Sequence, residues 1–402
     1  MASTFRRTPF GIVESGEMTD DFQLLTVAEY AAKAARTDKL KARQGLTFPL
    51  LGLFGEAGSL LSEAKKKLRD KSSYLGYAEA VAEELGDVLW YLAAVCRRAG
   101  ISLADITAEA SGKAPDSGIT FHALQPEHIP LFKDPTTTTE HALLMLAGEV
   151  GLLVHQHVGQ AHVTKDQQRA QLVRVAGGLI GAATEVGVTL EGAAFKNLVK
   201  INDRWPIKRE YPPAFDELDD AEERLPRVMT IDIYERTVRG REYVYQKSSG
   251  VYVGDRLTDN AVVEDDYRFH DVFHYAYAAV LGWSPVMRAL LRLKRKSRPD
   301  VDEAQDGARA ILIEEGVTSW VFGQAQKLEF FGDIKRGGLP LDMLKHVRQF
   351  VAGYESAECP LWLWEDAILQ GYEAFRFLQD RRRAQVQIDF KRRRLKVKEL
   401  PL

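Results

Sequence analysis

Residues 83–92 read Glu83-Glu84-Leu85-Gly86-Asp87-Val88-Leu89-Trp90-Tyr91-Leu92. Leu85, Val88 and Leu89 recur at spacings of three and four, the inward stripe of an α-helix, while Glu84 and Asp87 lie three apart on another face. The pattern extends over Tyr77–Ala99 and closes at Gly100, a residue suited to the left-handed turn that ends a helix. Upstream, Leu25–Arg36 and Pro49–Arg69 are also amphipathic, and Ser102 suits the N-cap of a fourth helix. No strand pattern interrupts residues 24–110, so a small helical bundle is expected there.

The Pro49–Arg69 helix places Glu56, Ser59, Glu63 and Lys67 along one face. Paired antiparallel with Tyr77–Ala99, it sets two acidic stripes against each other, which is costly at neutral pH unless a cation intervenes. Ligands that are all oxygen favour Mg²⁺, with Mn²⁺ as the second choice. Mg²⁺ held by carboxylates shares its remaining positions with water and substrate phosphates, for which Lys65, Lys66 and Lys67 are candidate contacts. The residues alone point to metal-assisted phosphate chemistry, although each acidic pair by itself also fits a solvated helix face.

Self-comparison adds a repeat. Gly55-Glu56-Ala57-Gly58 recurs as Gly148-Glu149-Val150-Gly151, and Gly100-Ile101-Ser102-Leu103 recurs in the same order as Gly187-Val188-Thr189-Leu190. The first pair of motifs is offset by 93 residues and the second by 87, so a loop in the second copy is about six residues shorter. The sequence therefore divides into a first copy over 1–115, a linker over 116–139 rich in Pro, Asp, Gly, His and Thr, and a second copy over 140–207.

Gly52-Leu53-Phe54-Gly55-Glu56-Ala57-Gly58, the Lys65-Lys66-Lys67 run and Glu84 to Leu92 together resemble the MazG-like nucleotide pyrophosphohydrolases over residues 24 to about 108. The family pattern is Glu-x-x-Glu on one helix and Glu-x-x-Asp on the next. Glu56, Glu84 and Asp87 match three of its positions, Ser59 stands at the fourth, and Glu63 is the candidate to compensate. The resemblance implies an all-α fold, Mg²⁺ bound by Glu56, Glu84 and Asp87, and metal-activated water that splits a (d)NTP into (d)NMP and pyrophosphate.

The second copy is similar to the same family more weakly, because Gln171 and Arg174 stand where Glu84 and Asp87 belong and only Glu149 survives of its acids; it is expected to be inactive. It keeps Asn197, Lys200 and Arg204, similar to the family's late Asn-x-x-Lys element, where the first copy has Ala110 and Lys113. Members of the family associate as helical dimers, so the copies are expected to form an internal pseudodimer, the first holding metal and the second offering Asn197, Lys200 and Arg204 to the nucleotide. The competing reading makes Lys200 and Arg204 ordinary solvent-facing residues. A further homo-oligomer is expected.

After a connector over 208–226, period-two alternation in Val228–Tyr234 and Arg241–Tyr245, with turns at Gly240 and Ser248-Ser249-Gly250, predicts a small antiparallel sheet. Helices are expected over Tyr267–Leu281, Pro285–Lys296, Glu303–Phe330, Pro340–Tyr354 and Trp362–Arg382, and a basic strand over Gln385–Leu400. Residues 227–402 thus form a mainly α domain with a β entrance. In it His270 and His274, four apart, with Asp266, Asp271 and Glu314-Glu315 in reach, are candidate ligands of a second metal, most simply His270, His274 and Glu315. Histidines at this spacing also occur as hydrogen-bonded core residues.

A chain of 402 residues exceeds one ordinary core, so several domains are expected. With 54 Lys+Arg against 57 Asp+Glu the net charge is −3, which gives no global field toward nucleic acid or anionic membrane; the Lys391–Arg394 run is too short to change this. Two cysteines build no disulfide framework, no run of eighteen apolar residues occurs, and Met1–Phe22 has no apolar stretch behind its arginines. A cytoplasmic enzyme of nucleotide metabolism is the leading expectation. The alternatives are a non-catalytic nucleotide sensor acting on the C-terminal domain, or a hydrolase working from His270 and His274.

Overall fold

The computed structural model describes residues 7–8, 11–12, 24–38, 45–129, 134–159 and 163–400. The reading of Met1–Phe22 as lacking a targeting segment therefore falls almost wholly outside the described residues. β1 (Arg7–Thr8) and β2 (Gly11–Ile12) form a short antiparallel pair. The chain is mainly α and folds as two compact units, Met1–Asn202 and Asp203–Leu402.

In the first unit α1 (Val27–Ala35) starts with a capping box in which Thr26 and Glu29 satisfy each other's backbone amides. α2 (Thr47–Asp70) and α3 (Tyr77–Ala99) form a hairpin, and Gly100, at φ +66°, ends α3 as the sequence predicts. The Ser102 hydroxyl accepts from the Asp105 amide and opens α4 (Leu103–Ala110). A second hairpin follows, α5 (Thr137–Val158) and α6 (Lys165–Glu185), then α7 (Leu190–Arg204), whose last two residues belong to the second unit.

The two hairpins share one core: Leu53, Leu60, Leu85 and Val88 are in the same cluster as Leu146, Val150, Leu172 and Val175. Each such buried side chain contributes about 1.5–3 kcal/mol, so burial against the other hairpin, more than local propensity, holds each one. The segment expected to be a linker joins this core. Ile119, Phe121 and Leu124 are buried, the Val27 amide donates to the Ile119 carbonyl, and the threonines from Thr136 cap and start α5. Three apolar side chains among turn residues are too few to show a period, which is why the sequence reads as linker there.

In the second unit β3 (Val228–Val238), β4 (Arg241–Ser248), β5 (Val251–Tyr252), β6 (Arg383–Asp389) and β7 (Arg394–Lys398) form an antiparallel sheet in the order β5-β4-β3-β6-β7. The β3–β4 turn places Arg239 and Gly240 at φ +53° and +78°, two left-handed residues in a row, as a tight hairpin requires. Ile231, Ile233, Val244, Val386 and Ile388 point to one face and pack with Phe273, Tyr372 and Phe375 from α8 (Asp271–Val280) and α13 (Leu361–Arg381). α9 (Pro285–Leu291), α10 (Pro299–Gln305), α11 (Ala308–Ala325) and α12 (Leu341–Phe350) complete the unit.

Three sequence expectations change here. Gln385–Leu400 is not one strand: Asp389 accepts from the Arg392 amide and Arg393 turns left-handed, so the chain reverses between β6 and β7. Arg393 in that basic run is buried and donates to the Val280 and Leu281 carbonyls at the end of α8, so one of its cations serves structure. The helix expected from Glu303 breaks at Gly307, where a Cβ would stand 2.3 Å from the Glu303 carbonyl oxygen. Both cysteines are buried. Among the described residues no single helix is long and apolar enough to cross a membrane.

Candidate functional site

Glu56 comes from the middle of α2, and Glu84 and Asp87 from successive turns of α3. The α2–α3 hairpin brings one carboxylate oxygen from each to within 4.8 Å of the others, and all three residues are half-buried. Close approach of the backbones makes this convergence. The Tyr91 ring lies where a side chain at Gly52 would begin, 2.0 Å from its Cβ position. On the neighbouring turn, a Cβ at Gly86 would stand 2.8 Å from the Ala193 carbonyl oxygen, so α7 rests directly on α3 beside Asp87.

That contact delivers two further side chains. Asn197 Nδ2 donates to Asp87 Oδ1 at 2.9 Å, while Tyr30 in α1 donates to Asn197 Oδ1 at 2.9 Å and fixes the amide's orientation. Lys200 Nζ donates to Asp87 Oδ2 and lies 2.7 Å from Glu83 Oε1. The first unit therefore gathers Glu56, Glu84 and Asp87 with Asn197 and Lys200 from α7. Tyr30 and Glu83 complete the group; nothing in the sequence near Tyr30 announces its place, because it arrives from a helix more than fifty residues away.

The electrostatics follow from crowding. Burial, then the charges of Glu56 and Asp87 and a hydrogen bond with Glu56, push the Glu84 carboxyl up to about 8, with Lys200 pulling the other way. Burial works against the Lys200 ammonium, yet Asp87 and Glu83 together hold it above its ordinary range. The cluster thus holds a proton on Glu84 near neutral pH that a divalent ion is well suited to replace.

Other predicted contacts lie apart. Glu63, seven residues beyond Glu56, is about 10 Å further along the axis at helical rise, and its buried carboxylate accepts from Tyr74 and from Lys66 Nζ at 2.5 Å. It does not fill the position of Ser59, which is half-buried on α2. Lys65, Lys66 and Lys67 are about 14–17 Å along from Glu56; Lys67 bonds the Lys71 carbonyl and lies 3.3 Å from Asp134. Arg204, expected at the nucleotide, is instead 2 % exposed within the second unit, where Glu365 takes it bidentately at 2.7 and 2.9 Å. Counting helical rise would have removed Glu63 and the lysines at the sequence level; Arg204 has no such signal.

In the α5–α6 hairpin the Glu149 carboxylate is satisfied from within. Gln171 Nε2 donates to the Glu149 carboxylate at 2.8 Å, and Arg174 bonds Gln171 and lies 3.3 Å from Glu149. In the second unit, α8 and the turn before it bring together His270, Asp271 and His274, with one ligand atom from each within 4.8 Å of the others. Glu315 Oε1 stands 3.5 Å from His274 Nε2. Burial alone lowers the His274 pKa, but Glu314 and then Glu315 outweigh it and raise it to about 10. Asp271, not Glu315, is the carboxylate the fold draws into the tightest group.

Comparison with known proteins matches residues 210–401 to the MazG C-terminal domain. A curated protein, "Gene 37 protein" of Mycobacterium phage L5, is 36% identical over 66 residues, 16% of this chain and 58% of that relative. The chain thus spans little more than half of that protein's length. No solved structure matches. The C-terminal part, for which the sequence suggests no resemblance of its own, is the part that carries the match to the MazG C-terminal domain.

Proposed function

We propose that the chain is a divalent-metal-dependent nucleotide pyrophosphohydrolase that converts a (d)NTP and water to the (d)NMP and pyrophosphate. The relation to MazG proteins supports the reaction class, and the convergence of Glu56, Glu84 and Asp87 with Asn197 and Lys200 carries the assignment to these residues. The residues fit Mg²⁺: three carboxylates supply oxygen ligands, and the burial and mutual repulsion that together raise the Glu84 pKa are what a hard cation relieves. When bound, Mg²⁺ supplies Lewis acidity to the phosphate oxygens and a more acidic water.

The chain's own groups do the positioning. Glu56, Glu84 and Asp87 fix the place where the anhydride sits. Asn197 keeps Asp87 in one rotamer, being itself held by Tyr30. Lys200, beside Asp87 and Glu83, has one further N–H donor for a phosphate oxygen and offsets charge as the bond to the leaving pyrophosphate opens. Glu149, Gln171 and Arg174 take no part.

Pyrophosphate release from a panel of ribo- and deoxynucleoside triphosphates, with Mg²⁺ and with chelator, tests the reading against the Glu84→Ala variant. Metal-dependent turnover that Glu84→Ala abolishes is the expected result. Tight nucleotide binding without turnover would sink the enzyme reading in favour of a sensor, the outcome that Ser59 in the fourth ligand position favours.

A further inference from the structure

The second unit holds a constellation the pyrophosphohydrolase reading does not use. Asp259 accepts from the Asp265, Asp266 and Arg268 amides, and the turn it organises leads straight into α8. That start places His270, Asp271 and His274 on consecutive turns, with His270 Nε2 3.3 Å from an Asp271 oxygen. His270 and Asp271 are each 8% exposed and His274 is fully buried.

Each of the three is held from its far side. His270 Nδ1 bonds the Tyr267 carbonyl at 2.8 Å, and its ring stacks on Tyr267 with centroids 4.4 Å apart and planes 3° from parallel. Asp271 Oδ2 accepts from Gln246 Nε2, whose own oxygen accepts from Tyr275. His274 Nδ1 bonds buried Glu314 at 2.9 Å, and Glu314 is fixed by the Ser284 hydroxyl and the Val286 amide. The outer positions are spoken for, which leaves His270 Nε2, one Asp271 oxygen and His274 Nε2 to serve as the ligand atoms of a group gathered within 4.8 Å.

His274 Nε2 is the informative atom. It is fully buried, and the Glu315 carboxylate faces it at 3.5 Å, the outer limit of a hydrogen bond. A contact that long satisfies a buried ring nitrogen poorly, whereas a metal ligand is oriented in this manner, one nitrogen bonded to a carboxylate and the other left for the ion. Two imidazoles and a carboxylate select a first-row transition metal over Mg²⁺ or Ca²⁺.

We propose that His270, Asp271 and His274 bind a divalent transition metal of the Mn²⁺ to Zn²⁺ series, with half-buried Glu315 at the fourth side. The site is separate in residues and in ligand chemistry from the acidic cluster of the first unit, and it stands whether or not that cluster hydrolyses nucleotides.

Titration of the metal-free full chain with Co²⁺ and with Zn²⁺ decides it, using the double variant Glu84→Ala, Asp87→Ala so that the first unit's acids contribute nothing. The expected result is one Co²⁺ per chain with visible absorption bands of nitrogen coordination, a rise in Tm with Zn²⁺, and at least about 100-fold weaker binding in His270→Gln and Asp271→Asn. Glu315→Gln is expected to weaken binding about tenfold. Co²⁺ bands that persist unchanged in His270→Gln would overturn the assignment. So would the absence of both bands and Tm shift in the parent chain, which needs no variant to fold and would identify His274 as an imidazolium paired with Glu314 and Glu315.

Discussion

The two hairpins of the first unit carry the same backbone plan and opposite electrostatics. In α2–α3 the crowded positions are Glu56, Glu84 and Asp87; in α5–α6 they are Glu149, Gln171 and Arg174. The first set repels itself and raises Glu84 toward neutrality, whereas the second is satisfied internally, an amide and a guanidinium taking the acid's lone pairs. Two hairpins of one core can thus place opposite electrostatics at their centres, and it is α7, not α5–α6, from which Asn197 and Lys200 reach Asp87.

The largest test of this contrast pairs Glu84→Ala with Glu149→Ala. The first is expected to lower metal-dependent pyrophosphate release by at least about 10³-fold, roughly 4 kcal/mol of transition-state stabilisation; the second is expected to leave it within about twofold. Equal losses in steady-state assays would erase the distinction between the hairpins.

Restoring acids to the second repeat attacks it from the other side. Gln171→Glu with Arg174→Glu is expected to destabilise the metal-free chain by about 1–3 kcal/mol, since three carboxylates would then crowd without a counter-charge, and Mn²⁺ or Mg²⁺ should recover part of that loss. Denaturant melts with and without metal measure both effects.

Gly86→Ala sharpens the role of α7. The added methyl meets the Ala193 carbonyl at 2.8 Å, so α7 must shift, with an expected cost of about 1–3 kcal/mol and reduced turnover through displaced Asn197 and Lys200. Gly177→Ala on α6, whose Cβ would meet only Ala110 at 3.9 Å, is expected to be nearly neutral. Thermal melts and kcat for both variants provide the comparison.

A further expected effect is a pH slope. A folded-state Glu84 pKa of about 8 means that between pH 4.5 and 8 the native chain keeps a proton the unfolded chain has released. Its contribution to stability is therefore intact below about pH 4.5 and lost as pH rises through 8. In chelator, the Tm difference between wild type and Glu84→Gln should move against wild type over this window, and saturating Mg²⁺ should reduce the movement. A difference that stays flat in calorimetry refutes the crowding.

Much of the first unit was legible because its signals are local. Helix periods, the Ser102 and Gly100 boundaries and the acidic spacings of α2 and α3 are properties of a few adjacent residues. Glu63 and the lysines misled because sharing a face says nothing of distance along it, and Arg204 because a cation on a helix looks the same whether it meets solvent or a buried Glu365. The segment around Phe121 was read as linker since its partners are in other helices.

The sequence by itself determined the mainly α character and the spacing of the three acids, each written in periods that helical geometry translates directly. Only the tertiary structure decided that Asn197 and Lys200 stand on Asp87, that Arg174 stands beside Glu149, and that His270, Asp271 and His274 come together. Those are contacts between elements distant in the chain or rotamers set by packing, and no local period encodes them.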